Sequence, residues 1–119
     1  MDEKVNLAKA LATFDERWSP RIVGEINELK VEVVKVEGEF VWHSHPETDD
    51  FFLVLLGTVV IEMRDREVVL NAGEMFVVPA GVEHRPRAER EAHVLLIEPK
   101  GTANTGDAGG ELTAEERRL

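Results

Sequence analysis

Apolar residues fall into two textures along the chain. In residues 5–14, Val5, Leu7, Ala8, Leu11 and Phe14 recur near helical spacing, and Asp15 and the Ser19-Pro20 pair end the pattern. This predicts a short N-terminal helix. From Ile22 to Ile97 the texture changes to short runs rich in Val, Ile, Phe and Leu, separated by turn signals. Strands are predicted at Val31 to Val36, Phe40 to His45 and Asp50 to Leu56. Thr58 to Arg64 and Glu67 to Leu70 read as a hairpin around Asp65-Arg66. Met75 to Val78, Val82 to Arg87 and His93 to Glu98 follow, spaced by the turns Asn71-Ala72-Gly73 and Pro79-Ala80-Gly81. Many short strands without long alternating helices predict an all-β sandwich or barrel and argue against a parallel α/β sheet. The tail, Gly101 to Gly110, reads as irregular. Leu112 to Leu119 is predicted as a short helix, with Thr113 and Glu116 as its capping box. The chain thus divides into a helix and lead-in at 1–29, a barrel at 30–100 and a tail at 101–119.

Composition narrows the chemistry. The 119 residues contain no Cys, 4 His and no Tyr, with a formal net charge of −10. Disulfides, thiol nucleophiles and Cys-ligated metals are excluded, so a transition-metal site must use His and carboxylates. The acidic balance argues against nucleic acid or an anionic membrane as partner. Met1-Asp2-Glu3-Lys4 does not open a secretory signal, and the longest apolar run is far below the ~20 residues of a membrane helix. A cytoplasmic location is expected.

Three His fall in two constellations. On a strand, His43 and His45 in His43-Ser44-His45 point to one face together with Val41, so two imidazoles can chelate one ion. Asp50 opens the next strand, on the face of Phe52, Val54 and Leu56. If the strands pair antiparallel, Asp50 returns beside the His pair. The second constellation, Gly73-EMFVV-Pro79-Ala-Gly81-VE-His84, delivers one His after a Pro/Gly turn.

Together these segments resemble the cupin superfamily. Its first motif is matched by Gly38-EFVW-His43-Ser-His45-PETD-Asp50-FFLVLL-Gly57, with one residue fewer before His43 and Asp50 in place of Glu. Its second is matched by Gly73 through His84 to Ala88, where Ala88 replaces Asn. The resemblance covers roughly residues 30–98. From Trp18-Ser-Pro to Glu98-Pro-Lys-Gly the chain looks like small single-domain cupins similar to mannose-6-phosphate isomerase.

The resemblance implies an antiparallel double-stranded β-helix, or jelly roll, with a metal held inside by His43, His45, Asp50 and His84. Three imidazoles and a carboxylate suit one divalent ion of Fe, Mn, Ni, Zn or Cu. Asp is one methylene shorter than Glu, which sets its carboxylate about 1.5 Å nearer its backbone. Asp50 therefore either ligates directly, acts through a water or hydrogen-bonds a ligand His. His93 is read as a barrel His, satisfied locally or lining the pocket, with a catalytic acid–base role as the lesser alternative. Trp42, Phe51, Phe52 and Phe76 are read as core, with Phe52 the best placed to line a cavity. Glu47, Thr48 and Asp49 form a polar loop. Arg85, Arg87 and Arg90, interleaved with Glu83, Glu89 and Glu91, form a solvated edge.

The expected function is a metal-dependent cupin acting on a small molecule, by dioxygenase-type oxidation or by isomerisation of a sugar or similar carbonyl. The alternative is a non-catalytic metal- or ligand-binding module. A C2 homodimer is expected, with the apolar segment up to Ile26 available to a neighbour.

Overall fold

A computed structural model describes residues 3–119. One short helix, α1 (Leu7–Leu11), precedes seven strands: β1 (Arg21–Ile26), β2 (Leu29–Glu39), β3 (Asp50–Leu56), β4 (Thr58–Met63), β5 (Glu67–Asn71), β6 (Met75–Val78) and β7 (His84–Pro99). All ladders are antiparallel, in the order β1-β2-β7-β3-β6, with β4 pairing β5 and β7. This is the expected antiparallel β architecture. Among the described residues no helix is long and apolar enough to cross a membrane.

Strand β7 joins the two halves. Its start pairs with β4, from Met63↔His84 to Val60↔Arg87, and its end pairs with both β2 and β3. The sequence reading divides it in two at the charged run Ala88 to Ala92. The structure keeps one strand, because Ala88 and Ala92 are both buried inside and preserve the inward alternation. Between them the β2–β7 register jumps from Gly38↔Ala88 to Val36↔Ala92, leaving Glu89 and Arg90 exposed on a bulge.

The interior is filled by Val34, Val36, Phe52, Val54, Val59, Ile61 and Val94, contributed by four strands. A second cluster packs α1 on the outside of the sheet, with Ala10, Leu11 and Phe14 against Val23 and Val33. The apolar face of the N-terminal segment is therefore buried against its own barrel. Covering β2 on both faces explains its near-continuous burial from Lys30 to Val36. The helix is shorter than the 5–14 pattern. Asn6 caps its start by accepting the Lys9 N–H.

Three further expectations are corrected. The lead-in contains a strand, β1, whose bulge at Ile22/Gly24 breaks the alternation that would reveal it. Phe40 to His45 makes no ladder. Gly38 bulges out of β2, and Pro86 opposite has no N–H, so Phe40 donates to the Pro86 carbonyl without a return bond. Only the His43↔His84 bridge continues the pairing. Leu112 to Leu119 is not helical. Ile22 donates to the Arg117 carbonyl and accepts from Leu119, so β1 takes the hydrogen bonds a marginal short helix would keep.

A bulge at Val54/Leu56 in the β3–β7 register also turns Leu56 outward, away from the face of Asp50, Phe52 and Val54. Gly57 follows at φ +83°, and a Cβ there would meet Ala92 Cβ at 3.1 Å and Glu91 O at 3.2 Å. Gly57→Ala is expected to destabilise the fold by about 1–3 kcal/mol, measured by urea unfolding, through left-handed strain and this contact. An unchanged midpoint would show that the turn relaxes freely.

Candidate metal centre

His43, His45, Asp50 and His84 come together inside the barrel, all buried. One ligating atom of each lies within 4.8 Å of the others. Asp50 opens β3 facing inward, and His84 opens β7 opposite Met63. His43 reaches the site through its backbone exchange with His84, at 3.0 and 2.9 Å, and the His45 carbonyl accepts the Gly81 N–H at 3.0 Å. The Pro79-Ala80-Gly81 turn is thereby tied to the ligand segment. Asp49 in the polar loop fixes the same turn by accepting the Ala80 N–H.

The ring orientations are set by carbonyls. His43 Nδ1 lies 2.9 Å from Val41 O and His84 Nδ1 3.0 Å from Val82 O, so each ring donates there and turns Nε2 inward. His84 Nε2 and His45 Nε2 lie 3.1 and 3.3 Å from the same Asp50 oxygen, Oδ2. The shorter Asp side chain therefore reaches the imidazoles. Metal–ligand bonds of 2.0–2.2 Å place neighbouring donors about 3 Å apart and opposed ones about 4 Å apart. The observed spacings need only a small contraction, so the residues fit a divalent ion.

Electrostatics agree with that fit. Burial holds the His43 imidazole down at about 4, so it is neutral at pH 7, as a metal ligand must be. Burial alone would raise Asp50, but hydrogen bonds from His45 and His84 hold it below the ordinary carboxylate value.

The cluster opens on a cavity of about 50 Å³, room for a few water-sized groups. Its walls are mostly apolar. Trp18 stacks on Phe40 at 4.6 Å, and Phe52 stands edge-on to His84 at 6.0 Å. Phe52 thus lines the site as expected. Trp42 is a correction to the core reading: it is half-buried, with Arg64 3.8 Å above its ring and Arg85 5.3 Å away. Arg85 and Arg87 are more than a solvated edge, since both pair with Glu62 across the β4–β7 ladder. His93 is held by Glu91 at 2.6 Å and joins no cluster with the other three His.

Sequence reasoning missed a second set of buried charges. Lys30, Glu32 and Glu98 lie on β2 and β7, with Lys30↔Glu98 as register partners. Lys30 Nζ reaches Thr102 O at 3.0 Å and Glu116 at 2.8 Å, with Glu32 and Glu98 at 3.5 and 3.6 Å. Glu98 also lines the cavity of the His cluster. Burial first, then the hydrogen bond to Glu32 and the negative charges of Glu32 and Asp50, push Glu98 up to about 10. Glu98 therefore holds its proton at neutral pH. Glu32 Oε1 is buried without a hydrogen-bond partner. The available signal was the inward alternation Lys30, Glu32, Val34, Val36, which starts one residue before the predicted strand.

A family model described as "Cupin domain" matches residues 30–98. The chain belongs to the cupin family. A solved cupin-2 domain protein from Shewanella frigidimarina is 47% identical, with a TM-score of 0.80, over 81% of this cupin and 94% of that chain. The uncharacterized protein YdbB of Bacillus subtilis is 32% identical over 84% of this cupin and 89% of that protein. A 3-hydroxyanthranilate 3,4-dioxygenase of Jannaschia is 33% identical over 72 residues, covering 56% of this cupin and 39% of that enzyme.

In the metal-free protein, Glu98 keeps its proton while the unfolded chain loses it near the ordinary value of 4.5. The unfolded state then binds fewer protons, so this contribution to stability falls as pH rises from about 4.5 towards 10. Glu98→Gln keeps the shape and removes the titration. It is expected to be more stable than wild type at pH 8 by about 1 kcal/mol or more, roughly 4 °C in melting temperature, with a flatter pH profile. Parallel profiles would count against a protonated Glu98.

Proposed function

We propose that this cupin is a metal-dependent enzyme that oxidises a small, largely apolar organic molecule, of the phenol class, in a dioxygenase-type reaction. The observation that carries the reading is the junction of three imidazoles and a carboxylate with an aromatic-walled cavity. His43, His45 and His84, through the nitrogens facing inward, and Asp50, through its carboxylate, would hold the ion. The bound metal would supply a Lewis-acid centre with open positions for substrate oxygen and O₂.

The chain's own residues shape the rest. Trp18, Phe40 and Phe52 exclude water and favour a flat or apolar body over a sugar, whose hydroxyls need polar partners. Beyond the cluster, the polar groups in the wall are Glu98 and Asn104. Asn104 already donates to Trp18 O and Leu112 O and accepts from Ala114 N–H. Glu98 therefore remains to hold a proton beside the substrate. This weighs against the sugar-isomerase class. The partial likeness to a 3-hydroxyanthranilate 3,4-dioxygenase supports the oxidative class.

A second reading, a non-catalytic module binding a metal or small ligand, is favoured by the cavity's size. About 50 Å³ suits a few water-sized groups better than an aromatic ring.

The test begins with protein purified without a His tag or chelator. About one equivalent of divalent metal per chain is expected after incubation with Fe(II), Mn(II), Ni(II) or Zn(II), and less than a tenth of that in His84→Ala. With Fe(II) loaded, oxygen uptake is then followed with hydroquinone, catechol and 3-hydroxyanthranilate. Metal binding without uptake on any phenol would favour the binding module. Absence of metal from the wild type would falsify the metal-centre reading itself.

A further inference from the structure

The cupin match ends at residue 98, yet the chain after it packs directly on the candidate ligands. The segment Phe40 to Pro46, which carries His43 and His45, belongs to no strand. The barrel holds it through Phe40, His43 and His45, as described above. Ser44, between the two His, is held by Asp107. Its N–H donates to Asp107 Oδ1 at 2.8 Å, its hydroxyl donates to Oδ2 at 3.0 Å, and its carbonyl accepts the Asp107 N–H at 3.0 Å. Gly106 makes this approach possible. At φ +54°, a Cβ there would overlap the Ser44 carbonyl oxygen and stand 3.1 Å from Cδ2 of the His43 ring.

The turn that presents Gly106 and Asp107 is anchored away from the site. Asn104 is fixed by its three hydrogen bonds to Trp18, Leu112 and Ala114. Thr105 is fully buried, and its hydroxyl meets that of Thr113 at 2.5 Å. Glu116 accepts from Gly101 N–H at 2.8 Å and pairs with buried Lys30. The turn thus has footholds on the N-terminal lead-in, on β2 and on the rest of the tail. A turn held at that many points transmits its own rigidity to whatever it grips. Here it grips the residue between two ligands.

We propose that the Asn104–Asp107 turn is a positioning element of the metal centre, in which Asp107, acting through Ser44, sets the placement of His43 and His45. This rests on the reading of the four-residue cluster as a metal site. Asp107 touches neither metal nor substrate. Its effect is on how well the two imidazoles are pre-placed, and supports of this kind change metal affinity by about 10–100-fold when removed.

The experiment titrates metal-free full-length protein with Co(II), reading the visible spectrum, and with Zn(II) in competition with a chromophoric chelator. Asp107 is exposed, so Asp107→Ala is expected to fold, with circular dichroism as the check. Its Co(II) affinity is expected to fall at least 10-fold, with altered band positions or intensities. Asp107→Asn keeps an acceptor for the Ser44 N–H and is expected to recover affinity to within about threefold and to restore the spectrum. Gly57→Ala, a destabilised variant outside the cluster, is expected to bind as wild type, which separates positioning from general loss of stability. If Asp107→Ala binds Co(II) with wild-type affinity and spectrum, the positioning role is wrong while the metal site stands. If Asp107→Ala and Asp107→Asn lose affinity equally, placement through the Ser44 N–H is likewise excluded. If the wild type binds neither ion, the metal reading and this proposal fall together.

Discussion

Three imidazoles and a carboxylate inside an apolar barrel are costly unless their lone pairs and protons are satisfied. That constraint organises much of the molecule. Two of the rings are oriented by carbonyls of residues two positions earlier, Val41 and Val82, so orientation is local and follows from the backbone that delivers each His. The inward nitrogens of His45 and His84 then converge on a single Asp50 oxygen. The cluster is satisfied from outside by backbone and in the middle by one carboxylate. Replacing that shared contact by a cation uses the same donors in nearly the same places.

The barrel supports the cluster by fixing two of its members on strands. β3 and β7 place Asp50 and His84 through ladders with several partners, so neither can shift alone. His43 and His45 have no such ladder, because Gly38 and Pro86 interrupt the pairing where the segment leaves β2. One half of the site is therefore set by sheet register and the other by isolated hydrogen bonds. Buried Lys30, Glu32 and Glu98 extend the polar interior away from the cluster, and Glu116 connects them to the surface.

The grouping of His43, His45, Asp50 and His84 was legible through the two motifs and their Gly/Pro turns, although the segment carrying His43 and His45 is not the strand expected of it. The spacing of Gly73, Pro79, Gly81 and His84 carries that information within twelve residues. The reach of Asp50 was not legible, since side-chain length alone does not say how close the strands approach. β1 and the single β7 were obscured by bulges, which shift the alternation that local pattern reading depends on. The tail was misread for a different reason. Thr113 and Glu116 look like a helix cap, but the groups they satisfy, Thr105, Gly101 and Lys30, are distant in sequence or buried, and no local pattern announces such partners.

The position of the tail also orders events in time. All four members of the cluster lie between residues 43 and 84, yet the turn that grips Ser44 is made only after residue 107. On a ribosome the ligands emerge first and wait for their last support. A nascent chain carrying only the residues matched by the cupin model would hold all four side chains of the cluster but lack the three hydrogen bonds between Asp107 and Ser44. Completion of the surroundings of the cluster is thus coupled to synthesis of a segment outside the cupin match.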